Sequence, residues 1–170
     1  KGEGKFRRER WDDALDTIFN HPNVGPFICR QLIQRLVTSN PSRDYLYRVV
    51  QKFNDNGSGV RGDMKAVIRA VLVDREARTV RAARAYGKLR EPVLRFVQWA
   101  RVTKVRSPSG RWELWDLSSP ADGLGQSPMH APSVFNFYRP GYTAPGSVSA
   151  SLGKVAPELQ VLHETSAAGY

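Results

Sequence analysis

The stretch Asn54-Asp55-Asn56-Gly57-Ser58-Gly59-Val60-Arg61-Gly62-Asp63 is polar, rich in glycine and set between two apolar-periodic segments. Carboxylates, amides and a hydroxyl gathered in a loop are the ligands a hard cation such as calcium takes. The calcium-loop pattern nevertheless fails in both frames. Starting at Asp55 puts Gly57 and Gly59 at the second and third ligand positions and Ala66 at the last. Starting at Asn54 supplies Asn56 and Ser58 but leaves Lys65 where a bidentate acid is required. A phosphate loop is excluded too, because Gly57 to Lys65 lacks the Lys-Ser/Thr ending. The segment reads as a connector between two helices, with glycines at positive φ and Asp63 capping the helix that follows.

Other chemistry-bearing residues stand apart. His21, His130 and His163 are far separated and lack helical ligand spacing. His163-Glu164 matches half of a zinc-hydrolase pattern, but no second histidine follows. His21, before Pro22, reads as part of a helix stop, its ring bonded to nearby backbone. Ser133 lacks the glycines of a nucleophile elbow and reads as the cap of a short helix over Pro132 to Tyr138. Cys29 is the sole cysteine, which excludes an internal disulfide and a cysteine-based metal cluster. It lies in a helix-like apolar stretch and reads as a buried structural thiol. No catalytic, cofactor or metal residue is assigned. Lys88 and Arg90, with Glu91 at a turn into a helix, read as an ion-pair network, and the functional rival is a pocket for an anion. Lys88, Arg90, Arg61 and Arg35 are thus the candidate contacts for an anion or a partner.

These residues must be positioned by helices. Trp11, Leu15, Ile18 and Phe19 recur at helical spacing and predict one buried stripe, closed by Asn20-His21-Pro22-Asn23. Pro26 opens a second helix with Phe27, Ile28, Leu32, Ile33, Leu36 and Val37 on its apolar side, broken by Asn40-Pro41. Ser42 caps a third, with Tyr45, Leu46, Val49, Val50 and Phe53 inward. Asp63 caps a fourth, carrying Met64, Val67, Ile68, Val71 and Leu72. Glu91-Pro92 opens a fifth, with Val93, Phe96, Val97 and Ala100. Short amphipathic helices bury a face only by packing together. After about residue 105 the pattern changes: seven of the eleven prolines lie between Val105 and Pro157, yet Trp112, Trp115, Phe135, Phe137, Tyr138 and Tyr142 remain. A disordered linker would be poor in aromatics. This part reads as an ordered irregular wrap over the helices, with a further short helix around Pro157 to Ser166. The expected organisation is a single mainly α region, with a helical core at 11–105 and the wrap at 106–170.

The formal charge of +10 is uneven. Through residue 105 there are 22 Lys and Arg against 11 Asp and Glu, and from residue 106 there are 4 against 5. Such a field attracts nucleic acid, anionic lipid or an acidic partner. The run from Arg75 to Arg84 is interrupted by Glu76 and has no aromatic stacking platform, so nucleic acid is not the expected partner. No apolar run reaches the roughly 18 residues a transmembrane helix needs.

Several phrases occur in order: Phe19-Asn20-His21-Pro22-Asn23-Val24-Gly25-Pro26-Phe27, Arg30 through Pro41, Phe53 through Asp63, Gly87 through Pro92, Ala131 through Tyr142, and Ala156-Pro157-Glu158-Leu159-Gln160. Together they resemble the C-terminal portion of the domain-of-unknown-function 1800 family from about Trp11 onward. The resemblance implies a bacterial protein that is longer, exported to the periplasm or beyond, and often encoded beside an exported relative of sulfatases and alkaline phosphatases. It carries over no catalytic residue and no cofactor. The first residue is Lys1, and both ends read as cut from a larger protein. The expected function is a non-catalytic helical region that packs against its upstream half, a second copy or an exported partner. The rivals are a polyanion-binding module and part of an enzyme whose catalytic groups lie upstream.

Overall fold

The computed structural model describes residues 2–79, 86–114, 116–162 and 164–168, and these fold as mainly α structure with no strand among them. The chain divides into two compact units, Lys1–Ala82 and Ala83–Tyr170. The fifth expected helix therefore belongs to the later unit, although the change in composition comes only after it.

The first unit contains α1 (Gly2–Asn20), α2 (Val24–Leu36), α3 (Arg43–Asn54), α4 (Met64–Val73) and the one-turn α5 (Arg75–Arg78). Three of these helices make the core. Cys29 and Ile33 of α2, Tyr45, Val49 and Phe53 of α3, and Val67 and Val71 of α4 form one buried cluster. Their spacing of four or eight residues along each helix is what places them on a common face. Each fully buried aliphatic or aromatic side chain contributes about 1.5–3 kcal/mol. Tyr45 keeps its polar end satisfied there, because its hydroxyl donates to the Val71 carbonyl at 2.5 Å.

The caps fall where the sequence put them. Ser42 Oγ accepts from the Tyr45 N–H at the start of α3. Asp63 Oδ1 accepts from the N–H groups of Lys65 and Ala66 at the start of α4. Ser42 also donates from its N–H and Oγ to the Glu76 carboxylate, at 2.9 and 2.5 Å, tying the start of α3 to α5. That bond accounts for an acid as buried as Glu76. Beside it, Arg48 Nε and NH2 each donate to Asp74 at 2.7 Å, a bidentate pair between α3 and the α4–α5 junction.

The stripe of α1 is a correction. Trp11, Leu15 and Ile18 lie on one face as their spacing requires, but that face is open to solvent: 66%, 61% and 64% exposed. Within the unit α1 is held near its own C-terminal end, where it meets α2 and where Phe19 meets Phe53 of α3 with ring centroids 6.1 Å apart. Likewise α2 buries Gly25, Cys29 and Ile33, while Phe27 and Leu36 face outward. Gly25 permits this approach, since a Cβ there would stand 3.1 Å from the Phe53 ring.

The second unit holds α6 (Pro92–Val102), α7 (Val148–Ser151), a 3-10 turn at Pro157–Gln160 and α8 (Glu164–Ala168), joined by long irregular segments. Pro92 occupies the first turn of α6, where its missing N–H costs nothing. The helix expected over Pro132 to Tyr138 does not form. Asn136 adopts φ +71°, which breaks helical continuity, and the segment closes as a turn with Asn136 N–H on the Ser133 carbonyl. Ser133 Oγ accepts from Phe135 N–H, so the serine organises a turn rather than a helix. Of the aromatics here, Tyr138 is buried, whereas Trp112 and Phe135 are exposed. Trp115 lies outside the described residues.

Asp74 sets a pH dependence. The two Arg48 hydrogen bonds, helped by the Glu76 N–H, hold its carboxyl below the ordinary value of 3.8. A depressed native pKa stabilises the fold above the unfolded value and loses that contribution as pH falls through the native one. Unfolding followed from pH 7 downward should therefore show stability falling below about pH 4. Asp74→Asn should flatten part of that fall.

Candidate functional site

The loop between α3 and α4 is built from its own side chains. Asp55 Oδ1 accepts from Gly57 N–H at 2.7 Å and Gly59 N–H at 2.9 Å. Asn56 Oδ1 accepts from Ser58 N–H, and its Nδ2 donates to Asp63 Oδ2 at 2.8 Å. Gly57, Gly59 and Gly62 have φ of +103°, +78° and +75°, the region that favours glycine. These N–H donors hold Asp55 and Asp63 below the usual carboxylate range, chiefly through the Gly57 N–H for the first and the Asn56 amide for the second. Both carboxylates thus face hydrogen-bond donors rather than converging as oxygen ligands. Adding calcium should leave the melting temperature unchanged, and a saturable rise reversed by a chelator would overturn this. Asp63→Ala should lower the melting temperature through the lost cap.

Arg61 locks this loop to the end of α1. Its guanidinium donates to the carbonyls of Phe19 and His21 and to Asn54 Oδ1. It also lies 5.5 Å from the Phe19 ring centre and 4.9 Å from that of Phe53, a double cation–π arrangement. His21 finishes α1 as its position suggests: Nδ1 accepts from Asn23 N–H at 3.2 Å.

In the second unit a buried polar cluster joins four segments distant in sequence. Lys88 Nζ stands 3.0 Å from Glu158 Oε1 and 4.0 Å from Glu91 Oε1. Tyr138 donates its hydroxyl to Glu91 Oε1 at 2.5 Å, and Gln126 Nε2 donates to Glu91 Oε2 at 2.6 Å. Gln126 Oε1 in turn accepts from Val93 N–H, satisfying one of the orphan donors at the start of α6. Glu91, at the N-cap position, makes no capping bond of its own because its oxygens serve Gln126 and Tyr138. The Glu158 side chain is 2% exposed.

Of the four candidate contacts, Lys88 and Arg90 fall in the second unit, Arg61 and Arg35 in the first. Lys88 is held between two carboxylates, and the exposed Arg90 bonds Gln98 on α6. Arg61 is spent on backbone carbonyls and aromatic rings. Arg35 is half-buried on α2. Sequence reading found Lys88 and Glu91 but missed Gln126, Tyr138 and Glu158, whose partners lie up to about 70 positions away in the chain. His130 Nδ1 stands 3.5 Å from Asp116, and His163 lies outside the described residues. Among the described residues no group of three or more His, Cys, Asp or Glu could hold a metal ion. No helix among them is long and apolar enough to cross a membrane.

Compared with known proteins, residues 2–169 match the model of a family described as "Protein of unknown function (DUF1800)". No curated protein and no solved structure matches the chain.

Proposed function

The chain belongs to the DUF1800 family, and we propose that it is a non-catalytic helical region of an exported protein that packs through α1 against the upstream part of the same polypeptide. The observation that carries this reading is the α1 stripe: Trp11, Leu15 and Ile18, spaced four and three residues apart, all more than 60% exposed. Covering each would contribute about 1.5–3 kcal/mol, and contiguous exposed apolar surface marks interaction sites. Support also comes from the loop and the buried cluster, whose acids and cations serve one another and the backbone. Export is proposed from the family resemblance alone, and fractionation of the native host tests it.

Leu15→Glu with Ile18→Glu should leave the isolated 170-residue chain as stable as before, since both positions face water there. In the intact gene product the same pair should open the upstream junction and speed limited proteolysis. Unchanged proteolysis of the intact product would defeat the proposal.

A second reading, polyanion binding, is favoured by the excess of 22 − 11 = +11 through residue 105. Heparin or DNA should then bind at low ionic strength, where the Debye length is about 30 Å, and fade at physiological salt, where it is about 8 Å. Preference between two unrelated duplexes should be absent. Tight, sequence-selective binding at physiological salt would make nucleic-acid recognition the leading function.

A further inference from the structure

Within the second unit, the C-terminal half of α6 and the segment after it border an open cleft of about 600 Å³, in which Trp99 and Trp112 are 53% and 62% exposed. Phe96, Trp99, Trp112 and Leu114 give it apolar walls. Arg101, Lys104 and Arg106 complete the lining, and no acidic residue takes part. Among the described residues these three cations form no ion pair. The volume lies within the range of small-molecule sites, roughly 300–1,000 Å³, which are mostly apolar with a few polar groups that fix orientation.

The backbone adds a second observation. After α6 the chain reverses with Val105 N–H on the Ala100 carbonyl, and Lys104 takes the left-handed turn position at φ +53°. Glycine is the usual residue there, because a side chain in that region is strained. A lysine stands in the strained position, and it lines the cleft. Strain held at one residue is a recurring mark of a ligand site.

We propose that this cleft binds a single-chain anionic amphiphile, an alkyl carboxylate of the fatty-acid class, with its chain along Trp99 and Trp112 and its carboxylate held by Lys104, Arg101 and Arg106. Unpaired cations beside an aromatic, acid-free pocket select a negative head group on an apolar body. The cleft is open enough to take up one such molecule from solution, and the vesicle measurement below separates this from contact with a bilayer.

The test titrates the 170-residue chain with sodium dodecanoate below its micelle concentration, with dodecanol as the uncharged control, following tryptophan fluorescence and calorimetry. Dodecanoate should bind saturably at one site per chain, and dodecanol about tenfold more weakly, the worth of a charge-assisted contact. Lys104→Gly is the decisive variant: it should raise thermal stability by relieving the strained backbone while weakening dodecanoate binding about tenfold and leaving dodecanol unaffected. Trp112→Ala should weaken both ligands. Equal affinity for acid and alcohol, or an unaltered dodecanoate affinity in Lys104→Gly, would overturn the proposal. Binding to vesicles of anionic phospholipid with no response to free dodecanoate would overturn it too, and make the patch a membrane contact.

Discussion

Glu158→Ala should destabilise the second unit by about 3 kcal/mol, measured by denaturant unfolding. The substitution removes the carboxylate 3.0 Å from Lys88 Nζ, in a site where the lysine side chain is only 12% exposed. Removing one member of a buried pair costs roughly 3–5 kcal/mol, because the other charge stays desolvated without its partner. The lower end applies here, since Glu91 remains 4.0 Å from the same ammonium. Among the described residues of this unit Leu124, Tyr138 and Val161 are buried apolar or aromatic side chains, and Tyr138 is tied to the cluster by its hydroxyl. Replacing both partners, Lys88→Met with Glu158→Leu, should cost less than the sum of the single changes, because neither leaves the other desolvated alone and Glu91 keeps its hydrogen bonds from Tyr138 and Gln126. Additive costs would mean that the pair is not coupled.

Gly62→Ala should cost about 2–3 kcal/mol, through two separable effects. At φ +75° any Cβ is strained, and here it would also stand 2.5 and 2.8 Å from atoms of the Phe19 ring. Removing the ring separates the two. In a Phe19→Ala background the same glycine change should cost only about 1 kcal/mol, the conformational part alone. The coupling energy between positions 19 and 62 thus reads directly how firmly the loop is seated on the end of α1. A full cost in both backgrounds would show that the ring contact contributes nothing.

Local grammar was legible in the sequence because its causes are local. Ser42, Asp63 and Pro92 each act within one turn of their own helix, and a hydroxyl, a carboxylate or a missing N–H reports that role from composition alone. The same holds for α3, where Tyr45, Val49 and Phe53 follow the helical period into the core. What periodicity cannot say is what covers a face. The stripe of α1 follows the same helical period as that of α3, and only tertiary packing decides that one is buried and the other open. The Pro132–Tyr138 segment misled for another reason. Its aromatic pattern suits a helix, but Asn136 is among the residues that tolerate left-handed backbone, and there it ends the turn.

The buried cluster was half legible. Lys88 and Glu91 sit three residues apart and announce an ion pair. Glu158, Gln126 and Tyr138 complete it from segments that no local pattern links to α6. Arg61 shows the converse. Its charge suggested a contact for an anion or partner, but three carbonyl or amide oxygens and two aromatic rings engage its guanidinium within the first unit.

The central claim, that another part of the polypeptide covers the α1 face, is tested most directly by thiol accessibility at Leu15→Cys. The native Cys29 does not interfere, because it is fully buried and desolvation pushes its thiol up to about 11. In the isolated chain the new cysteine should react with a maleimide at nearly the rate of a free thiol, as its 61% exposed position implies. In the intact gene product the rate should fall by about tenfold or more, limited by local opening of the covering segment. Equal rates in the two proteins would contradict the account.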